Sequence, residues 1–144
     1  MLNAHIDISQ GLDGESVVLA CFDLDDEQLA ASAHAVNAAA ERFRAAELSV
    51  DEVLELRELT ALADELADHA LRAGIRTVVL RPARLTVYRD ALAWFVESRD
   101  EAEWVREEDR EPLARVRALL YPLEELCADA LRAALTGAPS PRAC

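Results

Sequence analysis

The stretch LSVDEVLELRELTALADELADHALRAG, residues 48–74, carries its own start, its own stop and its own buried face. Ser49 with Glu52 three residues on forms a capping box, in which each side chain bonds the other's orphan backbone N–H. Leu48 ahead of the cap and Val53 at the fourth helical position suit a hydrophobic staple. Gly74 supplies the left-handed residue that ends a helix, and Arg72 sits in the last turn, where the dipole favours a cation. Wound at about 100° per residue, Leu56, Leu59, Leu62, Ala63, Leu66, Ala67, Ala70 and Ala73 share one side, with Thr60, Asp64, Glu65, Asp68 and Arg72 opposite. Such a helix must be covered by partners, which the flanking sequence supplies.

Upstream, Asp25 with Gln28 makes a second capping box and Leu24 with Leu29 a second staple, opening a helix expected over 26–47. Its seam is Leu29, Ala33, Val36, Ala40 and Phe43, and the small side chains invite close approach of a neighbour. With so short a link to the helix over 50–73, the two are expected to form an antiparallel αα-hairpin. Before them, His5-Ile6-Asp7-Ile8 alternates polar and apolar, QGLDG is a turn cluster and SVVLACF is a β-branched run. These predict a β-hairpin over 5–22.

Downstream, IRTVVLRP favours a strand through its β-branched residues and its pre-proline position, with a helical linker as the alternative. A strand over 76–80 that joins the hairpin makes the fold α+β. Pro82 suits the first position of a third helix, over 82–98, with Leu85, Tyr88, Leu92 and Phe95 as its seam. The spacing slips near Ser98–Asp100, and Asp100 with Glu103 offers another capping box. A new register then runs through Ala102, Val105, Asp109, Pro112, Val116, Leu119, Leu123, Leu126 and Ala130, predicting a fourth helix over 101–135. Pro122 should kink it; at Pro112 a kink and a break are nearly matched. Residues 137–144 read as a disordered tail. The expectation is a single mostly α domain over 1–136: a four-helix bundle of two αα-hairpins with a small N-terminal β-hairpin.

Composition narrows the chemistry. At 144 residues the chain makes one ordinary domain, and 52% hydrophobic content excludes disorder for want of a core. No apolar run approaches the roughly 18 residues a membrane helix needs, and MLNAHIDIS lacks the basic start and apolar core of a secretory signal. Three widely spaced cysteines, Cys21, Cys127 and Cys144, suit a reducing cytoplasm better than a disulfide framework. There is no lysine, which excludes Schiff-base chemistry and a P-loop, and four scattered glycines exclude a dinucleotide-binding turn. A formal charge of −13 repels nucleic-acid backbones and anionic membranes alike.

The histidines do not converge on a metal in this reading. His34 points 140–180° away from its helix seam and so into solvent, His69 lies at the edge of an apolar face some 9 Å along the axis, and His5 is on another element. No metal, cofactor or catalytic residue is assigned, and no nucleophile elbow is present. Arg81, Arg84, Arg89 and Arg99 are expected to form internal salt bridges. The unusual local feature is ESRDEAEWVREEDRE, residues 97–111, where Trp104 falls off the core seam among charges. A large aromatic so placed is a typical anchor for a partner surface; the alternative is that it folds over a helix end or under the hairpin. Trp94 and Val87 widen the third helix's apolar side, and Arg106 adjoins Trp104. The resulting expectation is a non-enzymatic protein-interaction module, binding a protein partner or itself as a homodimer, through Trp94, Trp104, Val87 and Arg106. The alternative is a small-molecule-binding protein or enzyme with a pocket between hairpin and bundle near Tyr88, Tyr121 and His69.

Overall fold

Residues 2–10, 14–44, 47–71 and 76–136 are described by the structure, a computed structural model. Strand β1 (Ala4–Gln10) pairs antiparallel with β2 (Ser16–Leu24), with Ile6 opposite Ala20 and His5 opposite Cys21. Helices α1 (Asp26–Glu41) and α2 (Val50–Ala70) follow, and β3 (Arg76–Leu80) returns to pair antiparallel with β2. The sheet order is therefore β1-β2-β3, with an αα-hairpin inserted between its second and third strands. Helices α3 (Pro82–Asp100) and α4 (Glu107–Thr136) complete a mostly helical α+β fold.

Alternation decides which face of the sheet is buried. Ile6, Ala20, Phe22, Leu24, Val78 and Leu80 enter the core, while His5, Asp7, Thr77 and Val79 alternate with them on the other face. The inner face packs on α1, α3 and α4. Tyr88 joins three elements: its ring stacks on Phe22 at 5.7 Å, and its hydroxyl hydrogen-bonds Ser32 of α1. Burial drives the Tyr88 hydroxyl far above its ordinary pKa, and the Ser32 hydrogen bond only partly offsets this. The two expected capping boxes are both formed, Asp25 with Gln28 and Ser49 with Glu52.

Several boundaries differ from expectation, each for a local reason. Helix α1 ends at Glu41 rather than at 47. Phe43 and Arg44 donate to the carbonyls of Ala40 and Glu41, three residues back, and the tightened turn carries Phe43 into the core. On α2, Leu59, Leu62 and Leu66 are buried but Ala67 and Ala70 face solvent, so the covered stripe is narrower than the sequence pattern. Ala73, Gly74, Arg72, most of the QGLDG turn and the tail lie outside the described residues.

The fourth helix begins at Glu107, not 101, and residues 101–106 are a loop. Asp100, expected to cap that helix, instead pairs with Arg117 at the C-terminal end of α3, while Asp109 is held from the core side. Both prolines lie inside α4, which runs unbroken through Pro112 and Pro122. Each removes one backbone hydrogen bond. The buried row Asp109, Leu113, Val116, Leu119, Leu123 and Leu126 continues across both and keeps the helix docked. Among the described residues, no helix is long and apolar enough to cross a membrane.

Candidate functional site

Trp104 lies in the loop between α3 and α4 and is 72% exposed. Glu101, Glu103 and Arg106 around it are exposed as well, and Arg106 reaches Glu108 at 3.6 Å. Trp94, one turn and more before the loop, is half-buried. The Arg42 and Arg99 guanidinium groups sit 5.0 and 5.8 Å from its ring centroid, within cation–π range. Val87 is also half-buried and packs against the core. The four residues expected to form one interaction surface are thus divided. Trp104 and Arg106 are presented to solvent, while Trp94 and Val87 brace α3.

Asp109, 4% exposed, holds the far end of this loop. Its Oδ1 lies 2.7 Å from His34 Nε2, and Arg99 Nε donates to its Oδ2 at 3.0 Å. The His34 ring meets Phe95 edge-on, with centroids 5.5 Å apart. This corrects the expectation that His34 is in solvent: the first turn of α4 covers that side of α1. Burial by itself would raise the Asp109 carboxyl. The hydrogen bonds from His34 and Arg99, with the charge of the guanidinium, outweigh it and hold the group below the ordinary carboxylate range. Both oxygens are engaged, so the carboxylate acts as an anchor rather than as a base. A shallow cleft of about 360 Å³ lies over the cluster, walled by Asn37, Glu41, Arg106 and Glu108.

The three residues expected to line the alternative pocket differ in their exposure. Tyr88 is fully buried, as its place on the α3 seam requires; Tyr121 is 69% exposed on α4. His69 sits near the end of α2, with Nδ1 buried and lacking a hydrogen-bond partner. Four surface clefts among the described residues are lined by other side chains. Three of the four clustered arginines form the internal pairs expected: Arg84 with Glu58 and Glu65, Arg89 with Asp90, and Arg99 with Asp109.

On the outer face of the sheet the structure gathers residues that the sequence reading set apart. His5 Nε2 lies 3.4 Å from Asp7 Oδ2, and the Cys21 thiol donates to the same oxygen at 3.6 Å. All three ligand atoms fall within 4.8 Å of one another. Alternation along β1 was the available signal, since it places His5 and Asp7 on one face. The pairing that sets Cys21 opposite His5 was not legible, because register depends on a turn whose geometry the sequence leaves open.

No known family, curated protein or solved structure matches the chain.

Proposed function

We propose that the protein is a non-enzymatic interaction module of the cytoplasm, capturing a protein partner with a basic, apolar-lined surface through the Trp104 loop. The observation that carries this reading is the 72% exposure of Trp104 on a loop held at both ends. Asp100 is tied by Arg117, and Asp109 by His34 and Arg99. A buried tryptophan anchor supplies a large share of the energy in many interfaces. A loop already ordered before binding loses less entropy on association. Exposed Glu101, Glu103, Glu107 and Glu108 add a negative rim suited to steering a cationic partner. Two copies meeting loop to loop would juxtapose these carboxylates, which favours a different protein over a homodimer on this surface. Cys21 and Cys127 are thiols rather than disulfide partners, which suits a reducing compartment.

The test is a side-by-side capture from one cell extract with wild type and Trp104→Ala as baits. The expected result is a protein retained by the wild type and reduced roughly tenfold or more by Trp104→Ala. Circular dichroism and melting temperature should stay unchanged, because the side chain is largely exposed. If every retained protein binds both baits equally, the reading fails. Light scattering separates self-association: a dimer abolished by Trp104→Ala would make the occupant of this surface a second copy.

A further inference from the structure

We propose that the outer face of the sheet carries a three-ligand transition-metal site, fitted to Zn²⁺ and built from His5, Asp7 and Cys21. The backbone prepares it. His5 and Asp7 are two residues apart on β1 and share a face, and Cys21 is the direct cross-strand partner of His5 on β2. Directly opposed Cβ atoms sit about 4.5–5.5 Å apart and diagonal ones about 7–8 Å apart, within reach of these side chains.

The spacing of the ligand atoms fits a tetrahedral ion. With Zn–N and Zn–O near 2.1 Å and Zn–S near 2.3 Å, tetrahedral angles put N and O about 3.4 Å apart and S and O about 3.6 Å apart. The observed separations are 3.4 Å for His5 to Asp7 and 3.6 Å for Cys21 to Asp7. The third edge, between Cys21 and His5, is no longer than 4.8 Å, so closing it asks for at most about 1.2 Å of side-chain movement.

The donor chemistry points the same way. Thiolate, imidazole and carboxylate together suit zinc, whereas calcium and magnesium take oxygen donors. Thiolate and carboxylate also balance the charge of the ion. Access is graded: Cys21 is buried at the floor, His5 is partly open and Asp7 is 60% exposed, which leaves an entry path. Leu19 and Val79, the cross-strand neighbours of Asp7 and Cys21, give the site an apolar margin. Three protein ligands leave the fourth position to water or to an exogenous donor. Binding displaces the thiol proton, so affinity rises with pH. The site requires nothing of the Trp104 loop.

The experiment titrates metal-free protein with Zn²⁺ and, separately, with Co²⁺, in wild type and in a Cys144→Ser background that removes the tail thiol. One equivalent should bind in both. Cobalt should give a thiolate-to-metal charge-transfer band together with the intense visible bands of four-coordination. Cys21→Ser should abolish the charge-transfer band. His5→Ala and Asp7→Asn should weaken Zn²⁺ binding more than about 100-fold, because losing even an outer-shell partner costs about 10–100-fold. Asp7→Asn keeps shape and lies at an exposed position, so it reports on binding even if Cys21→Ser folds poorly. Absence of the band in the wild type, its persistence in Cys21→Ser, or unchanged affinity in Asp7→Asn overturns the proposal.

Discussion

At the first turn of α4, the Asp109 carboxylate does three things. It complements the helix dipole, accepts from a histidine of α1 and accepts from an arginine of α3. Its place on the fourth helix's apolar seam was readable from the spacing, and burial there demands partners. Which partners could not be read, because His34 is 75 residues away and local periodicity does not say which helix faces meet. For the same reason the periodicity of α1 alone points His34 to solvent. Asp109→Asn should cost about 2–3 kcal/mol at neutral pH, below the usual loss for a buried pair because His34 and Arg99 remain partly exposed and can rehydrate. The pH dependence has a definite sign. The folded carboxyl titrates below the unfolded one, so its stabilisation is complete above the unfolded value near 3.9 and is lost as pH falls through the folded value. Urea midpoints of wild type and variant should therefore converge as pH falls below about 4. A gap that stays constant over that range would remove Asp109 from the acid response.

Strand β3 shows how far element-level reading reaches. Its β-branched residues and the following proline made it legible as a strand, and alternation correctly sends Val78 and Leu80 inward. Alternation also sends Arg76 inward, where it is 6% exposed. That arginine pairs with Asp26 in the first turn of α1, tying the strand that follows the αα-hairpin to the helix that begins it. A long-range pair of this kind leaves no local trace in sequence. The start of α4 falls later than its local pattern for a related reason: the capping box at Asp100 loses to the Arg117 pair, which the packed α3–α4 hairpin provides. Removing Asp26 strands a buried guanidinium, whereas replacing Arg76 by an apolar side chain removes the charge altogether. Asp26→Asn should then destabilise by about 1–3 kcal/mol, with Arg76→Met neutral or stabilising. Equal or greater loss in Arg76→Met, measured by thermal and urea unfolding, would show that the pair is net favourable.

Across the whole molecule the dominant fact is the formal charge of −13, from 28 acidic and 15 basic residues. The sequence states that total outright and already crowds acids around Trp104 in residues 97–111; the structure shows that Glu101, Glu103, Glu107 and Glu108 there are exposed. Two effects of salt oppose each other. Screening weakens surface pairs such as Arg42–Glu55 and Arg110–Glu107, and it also weakens repulsion among the excess acids. Exposed pairs contribute about 0–1 kcal/mol each, whereas the unpaired excess acts at long range on the compact state. Repulsion should win. Raising KCl from about 0.01 M to 0.15 M shortens the Debye length from about 30 Å to 8 Å. The melting temperature should rise, by roughly 2–4 °C for each kcal/mol of repulsion relieved in a chain of this size. The measurement is made with a chelator present, so that stabilisation by a metal on the sheet face does not enter. A melting temperature that falls with salt would mean the ion pairs, and not the net field, set the electrostatic balance. The acidic rim around Trp104 would then be locally compensated and would lose its claim to steer a cationic partner.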